Sequence, residues 1–298
     1  MQTLLSTNKL TVKFKDLTVL HDINISIYDT KKVIGLVGPN GAGKTTLIHS
    51  ILGLNNINGG NIKYYGKHNI AYCPDTPEFE SKLTCYQIME QSLLLANKTV
   101  ENKYKKICNL LNLVGLERFS NRNVQGFSRG MKQRLGIASA LILDPKLIFL
   151  DEPTSALDPI GREEIIKLIS DISTNTNVIM SSHNLDDVQR ISSNIIVINE
   201  GYIIYQGNIN KFMDKFDKNS YISLKNDYFL KKYINLLNKN NIIIKNIDYK
   251  KYQIYFNESD FSNVLSILCE YHDGINKIIK NNNSLNDAFI NTVRNMEN

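Results

Sequence analysis

The stretch KVIGLVGPNGAGKTTLIHSILGL, residues 32–54, decides the fold of this chain. It opens on a short β-branched run, turns through a glycine-rich loop, and continues into an apolar pattern of helical period. Gly38, Gly43, Lys44 and Thr45 fill the slots of G-x-x-x-x-G-K-[ST], with the strand before and the helix after that this pattern requires. Gly38, Gly41 and Gly43 permit positive φ and close backbone approach, so successive N–H groups can wrap phosphate oxygens. Lys44 supplies a mobile charge for the outer phosphates, and the Thr45 hydroxyl suits Mg²⁺. Asn40 and Thr46 belong to the same nucleotide-binding loop. The bland alternative is a glycine-rich turn ahead of a helix; the complete pattern in its context argues against it.

Further along, LIFLDEP (147–153) and NVIMSSHN (177–184) read as short apolar strands, separated by the helical PIGREEIIKLISDIS. Uniformly apolar strands between helices predict a parallel sheet covered on both faces. Ligands of such sheets bind at the C-terminal ends of the strands, which is where Asp151, Glu152 and His183 fall. Asp151 is expected to hold the metal, through water, and Glu152 to act as the general base on the attacking water. His183 is expected to contact the terminal phosphate. Standing alone, DEP would be better read as a helix N-cap region and a lone His as a packed or capping residue. Beside a complete phosphate loop, the catalytic reading is preferred.

A second loop asks for a ligand as well. NVQGFSRGMKQRL, residues 123–135, is a run of small and polar residues that opens a basic helix, and helix N-termini attract anions. One chain thus carries two phosphate-gripping loops.

Composition narrows the class. With 298 residues the chain can hold one large domain, or a large one and a small one. The net charge of +6 is a mild excess without the dense basic patch of a nucleic-acid binder, so no nucleic-acid partner is expected. Cys73, Cys85, Cys108 and Cys269 show no metal spacing; Cys108 and Cys269 fall in expected helices and read as small core residues. Free thiols of this sort suit a reducing cytoplasm. No signal peptide and no run of eighteen apolar residues occurs, so the chain is not expected to span a membrane by itself.

The organisation follows. KLTVKF and INISIY predict two antiparallel strands near the start, and the stretch from about 76 to 135 is expected to be helical. NIIVINEG and YIIYQG end the first unit near residue 217. Residues 218–298 are rich in Asn, Lys, Ile and Tyr, and their β-α-β-β-α-β pattern is ferredoxin-like, with a last short helix at LNDAFINTV.

These motifs, in this order, resemble the ATP-binding subunits of ABC transporters over roughly the first 217 residues. GPNGAGKTT is similar to the Walker A loop, LIFLDEP to Walker B with its catalytic Glu, SALD (155–158) to the D-loop, and His183 to the switch histidine. GFSRGMKQR resembles the signature loop, and Phe14 falls where an aromatic residue stacks on adenine. The resemblance implies an α/β P-loop NTPase fold: a parallel core sheet, an antiparallel β subdomain and a helical subdomain at about 76–135. The nucleotide-binding domain would be 1–217 and the accessory domain 218–298. It also implies the cofactors ATP and Mg²⁺ and a second ATPase subunit, in a homodimer or heterodimer. The two pack head to tail, so Ser128 and Gly130 of one cap the triphosphate held by the other, which gives each loop its own nucleotide. A separate integral-membrane subunit, docked on 76–135, would place the chain at the cytoplasmic face of the membrane.

Two features depart from the family's pattern. The signature reads Phe127-Ser128-Arg129-Gly130-Met131 in place of Leu-Ser-Gly-Gly-Gln, a variant similar to the bacitracin- and lantibiotic-resistance exporters. That points to export of amphipathic or antimicrobial peptides. The alternatives are an exporter of lipids or drugs, or a soluble ABC ATPase without transport. Asp75 stands where the family has the Q-loop glutamine, and a carboxylate about 4 Å from phosphate charge costs on the order of 4 kcal/mol at intermediate dielectric. Asp75 must therefore ligate Mg²⁺ or swing away from the phosphates, and of the two the metal role, as part of the catalytic site, is expected.

Overall fold

The computed structural model describes residues 2–65, 70–213, 219–280 and 285–297. It divides into two compact units, 1–209 and 210–298. The boundary expected at 217/218 lies outside the described residues.

The first unit begins with β1 (Thr3–Phe14), β2 (Leu17–Ile23) and β3 (Ser26–Tyr28). β1 pairs antiparallel with both β2 and β3. It is longer than KLTVKF because its polar middle is satisfied from within: the buried Thr7 hydroxyl donates to the Ile23 carbonyl at 2.8 Å. The tight connection to β2 runs through Lys15 in a left-handed conformation (φ 54°). The expected strand INISIY is thereby split into the end of β2 and the short β3.

β4 (Val33–Val37) is buried at all five positions. α1 (Lys44–Ile51) follows the glycine loop, and β5 (Gly59–Tyr64) returns to pair with β1. β6 (Ile70–Cys73) then enters the core sheet. α2 (Cys85–Leu95), α3 (Lys103–Leu113) and α4 (Arg129–Leu141) make up the helical stretch. Residues 76–84 are not helical: Pro74 and Pro77 stand at the exit of β6, and Thr84 with Gln87 forms a capping box that starts α2.

The remaining elements alternate: β7 (Leu147–Leu150), α5 (Pro159–Ser173), β8 (Asn177–Ser182), α6 (Leu185–Ile191), β9 (Ser192–Asn199) and β10 (Tyr202–Asn208). The core sheet runs β10-β9-β4-β8-β7-β6. All its pairs are parallel except β9 with the edge strand β10. Register matters more than order here. Val37 lies beside Ser182, and Cys73 beside Leu150. The residues after these strand ends, Gly38, Pro74, Asp151 and His183, therefore emerge along one edge.

α7 (Ile209–Met213) lies at the division between the units. The second unit contains β11 (Asn219–Leu224), α8 (Asp227–Lys239), β12 (Ile244–Asp248), β13 (Gln253–Asn257), α9 (Phe261–Glu270), β14 (Ile275–Ile279) and α10 (Leu285–Glu297). Its antiparallel sheet has the order β12-β13-β11-β14, so β13 sits between the two strands that α8 connects. This is the split β-α-β arrangement. Its core gathers Ile222, Leu230, Tyr233, Ile254, Phe256 and Val264.

The cysteine expectation is corrected. Cys269 is exposed and Cys108 half-buried, whereas Cys73 and Cys85 are the buried pair. Cys269 occupies a solvent-facing position of an amphipathic helix, which helical assignment alone cannot distinguish from a core position.

Candidate functional site

The glycine loop is set by two constraints. Gly43 caps α1 with φ 103°, a conformation costly for any residue with a Cβ. Gly38 lies against strand β9: a Cβ there would stand 2.2 Å from the Ile198 carbonyl oxygen. The loop and its surroundings enclose a recess of 230 Å³ lined by Val19, Asn40, Gly41, Gly43, Lys44, Thr45, Thr46 and Glu152. Lys44 is buried, and its Nζ donates to the Gly38 carbonyl at 2.8 Å and lies 3.4 Å from Glu152 Oε1.

Asp151 is bonded to the lining residue Thr45 but is not itself part of the lining. The Thr45 hydroxyl donates to its Oδ2 at 2.7 Å, the Ser181 hydroxyl to its Oδ1 at 2.5 Å, and the Tyr72 hydroxyl approaches Oδ2 at 3.5 Å. Burial and the neighbouring Asp151 charge hold the Tyr72 phenol well above its ordinary pKa, so it remains a donor. His49 Nε2 lies 3.0 Å from the same phenol oxygen. Asp151 is almost fully buried, yet among the described residues it makes no ion pair. A buried carboxylate satisfied only by hydroxyls, with a threonine hydroxyl at its side, is a hard-oxygen donor set that fits Mg²⁺.

Glu152 adopts a left-handed backbone conformation, φ 44°, and its N–H donates to the Ser181 hydroxyl at 2.8 Å. Its carboxylate is held from two sides, by Lys44 and by His183 Nδ1 at 2.8 Å. Behind it, the buried Asp187 accepts from the Thr154 hydroxyl at 2.8 Å and from Arg162 Nε at 2.8 Å. That cluster ties the segment following Glu152 to the helix following His183.

Phe14, Asp75, Ser128 and Gly130 do not line the recess. Phe14 ends β1, half exposed. Ser128 is the N-cap of α4; its oxygen accepts from the Met131 N–H at 3.2 Å, which leaves the hydroxyl proton without an acceptor among the described residues. Asp75, two positions past β6, has its carboxylate taken up by Arg129 at 2.9 Å.

The ABC transporter family model matches residues 20–155. The bacitracin transport ATP-binding protein BcrA of Enterococcus faecalis is 34% identical over 223 residues, which is 71% of this chain and 71% of that one. This chain belongs to the ABC transporter family. The lantibiotic transport ATP-binding protein SrtF of Streptococcus pyogenes is 38% identical over 197 residues, 63% of this chain and 84% of that one. A solved ATP-binding subunit of an ABC transporter matches with a TM-score of 0.64 at 26% identity, covering 72% of this chain and 93% of that one. The α/β fold is accordingly that of an ABC ATPase, a domain that binds ATP. No helix among the described residues is long and apolar enough to cross a membrane.

Sequence patterns missed Ser181, Tyr72, His49 and the Arg129–Asp75 pair. A serine at the C-terminal end of a core strand, beside two acids on a neighbouring strand end, was the one available signal, and it pointed to Ser181.

Proposed function

We propose that this chain is the ATP-hydrolysing subunit of an exporter of amphipathic or antimicrobial peptides, acting through a separate membrane subunit. The observation that carries the hydrolytic reading is the grouping of Lys44, Glu152 and His183 at the edge of the nucleotide recess. Arrival of a triphosphate draws Lys44 toward the outer phosphates, and Glu152 is left with His183 as its orienting neighbour. Glu152 then accepts a proton from water as the water oxygen bonds to the γ-phosphorus and the bond to the bridging oxygen breaks, giving ADP and phosphate. Thr45 and Asp151 would hold Mg²⁺, whereas the Asp75 carboxylate, paired with Arg129, takes the other course and stands away from the phosphates. Bound there, the ion offsets charge on the phosphates.

Two subunits act head to tail, with Ser128 offering its free hydroxyl proton and Gly130 its backbone N–H to the nucleotide of the opposite subunit. The Ser128 hydroxyl proton, without an acceptor among the described residues of its own chain, supports this division of labour. The groove lined by Pro74, Pro77, Phe79, Leu95, Gly136 and Ala140 lies between the exit of β6 and the helical stretch, and we assign it to the membrane subunit. The chain would thus sit at the cytoplasmic face of the membrane, with residues 218–298 as an accessory domain. The names of the bacitracin and lantibiotic relatives support the peptide substrate.

The test uses Glu152→Gln in the full chain. Loss of the base is expected to lower turnover about 10²–10⁴-fold while ATP binding is retained. With ATP and Mg²⁺ the variant accumulates as a dimer by size-exclusion chromatography and co-purifies with an integral-membrane protein from native membranes. Normal turnover overturns the assignment of the base; a persistent monomer, even with the membrane component present, overturns the two-subunit site.

A further inference from the structure

Asp75 and Arg129 are 54 positions apart, and each replaces an uncharged residue of the usual pattern. In the structure they meet. Arg129 Nη2 donates to Asp75 Oδ1 at 2.9 Å, with the two side chains 40% and 45% exposed. Neither forms another ion pair among the described residues. The contact is one point of a longer seam: positions 129, 133 and 136 follow one stripe of α4 along residues 73–77. Gln133 Nε2 reaches the Pro74 carbonyl at 3.5 Å, and Gly136 fits so closely that a Cβ would stand 2.7 Å from Pro77 Cγ. Arg129 itself lies between Ser128 and Gly130, within the loop assigned above to the opposing nucleotide.

An exposed ion pair between single charges is weak and screened. A guanidinium facing several phosphate oxygens in a closing, water-poor interface is held far more strongly, because it can donate two bonds to multiply charged acceptors. The carboxylate of Asp75 therefore loses to a triphosphate whenever one comes within reach of Arg129.

Resting on the head-to-tail reading, the geometry points to Arg129 as a ligand of the triphosphate bound by the opposing subunit, with Asp75 as its counter-ion while that nucleotide is absent. Closure exchanges one anion for the other and frees Asp75. The Cys73 carbonyl, two residues before Asp75, accepts from the Asp151 N–H at 2.9 Å, so the freed acid belongs to a segment bonded to its own chain's site. Nucleotide on one subunit is thereby sensed next to the site of the other.

A double-mutant cycle in the full-length Glu152→Gln background tests this, reading the dimer dissociation constant at saturating ATP and Mg²⁺. Arg129→Leu is expected to weaken dimerisation 10- to 100-fold, with Arg129→Lys intermediate. Asp75→Asn, which releases the guanidinium beforehand, is expected to tighten it about two- to fivefold. In the Arg129→Leu background, Asp75→Asn is expected to change nothing beyond twofold. Unchanged dimerisation in Arg129→Leu overturns the proposal, as does weakening by Asp75→Asn to the level of Arg129→Leu, which is what a purely structural pair gives. Failure of the parent Glu152→Gln chain to dimerise at all counts against the two-subunit site instead.

Discussion

Replacing Ser181 by alanine tests the internal wiring of the site without touching any group assigned to the nucleotide. Its hydroxyl is fully buried and serves two neighbours at once, donating to Asp151 Oδ1 and accepting from the Glu152 N–H. A hydrogen bond to a charged acceptor contributes about 1.5–3 kcal/mol, and an orphaned buried donor costs about 1–3 kcal/mol. Taking the lower part of both ranges, Ser181→Ala destabilises the first unit by about 3 kcal/mol. For a unit of roughly 200 residues this lowers Tm by about 6–12 °C, measurable by scanning calorimetry.

The kinetic consequence is separable from the stability loss. Glu152 occupies a left-handed conformation that the Ser181 bond helps to maintain, so its carboxylate loses a fixed position relative to the attacking water. We expect kcat for ATP hydrolysis to fall about tenfold or more at a temperature where the variant is folded, roughly 1.4 kcal/mol of barrier. KM should change less than about threefold, because Lys44 and the loop N–H groups are untouched. Ser182→Ala is the control: among the described residues its hydroxyl bonds only the backbone of Asn184, so the expected cost is about 1 kcal/mol with kcat preserved. A Ser181→Ala chain with Tm within 1 °C of the parent and unchanged kcat would refute the reasoning.

Two glycines of α4 separate packing from contact. Gly136→Ala drives a Cβ to within 2.7 Å of Pro77 and 2.9 Å of the Cys73 sulfur, so a loss of about 1–3 kcal/mol is expected by thermal denaturation. Gly130→Ala meets nothing closer than 3.7 Å; its Tm should stay within about 2 °C while ATP-driven dimerisation of the Glu152→Gln chain weakens, and an unaffected dimer would remove Gly130 from the interface. Thiol chemistry offers a further check. Burial pushes the Cys85 thiol up to about 11, and burial together with the Asp151 charge raises Cys73 further. A raised thiol pKa means less thiolate, so alkylation of the native chain at pH 8 should mark exposed Cys269 first and reach Cys73 and Cys85 only on unfolding. Intact-mass analysis that finds Cys73 modified as fast as Cys269 would contradict its burial.

Strands covered on both faces are the most legible part of such a chain. Leu147–Leu150 is apolar at every position because every position is inside, and no choice of face or period enters. The edges were harder. β1 carries Ser6, Thr7, Asn8 and Lys9 through its middle, a polar run that interrupts alternation, and its pairing with β5 shifts register between Asn8 and Thr11. The turn into β2 uses Lys15 at positive φ where glycine or asparagine would have announced a hairpin. In each case a tertiary partner, such as the Ile23 carbonyl under Thr7, stabilises what local preference does not.

The site divides along the same line. Residues announced by a fixed local spacing, from Gly38 to Thr46 and from Asp151 to Glu152, were readable because the phosphate loop and the strand end each form within one stretch of chain. The contacts that tune them were not, because they join residues 30 positions apart in Ser181–Asp151 and 54 in Arg129–Asp75. What these contacts share is charge balance within one chain. Each of the two loops proposed to grip phosphate contains a cation, Lys44 or Arg129, and each cation lies beside an acid of the same chain, Glu152 or Asp75. Lys44 is buried and Glu152 partly so, at 7% and 16% exposure, whereas the second pair is 40% and 45% exposed. Low local dielectric strengthens the inner pair and water weakens the outer one, so the outer pair yields to an incoming anion first. Separating the inner one would require phosphate oxygens close enough to replace the carboxylate of Glu152, which would tie the freedom of the proposed base to occupancy of its own loop.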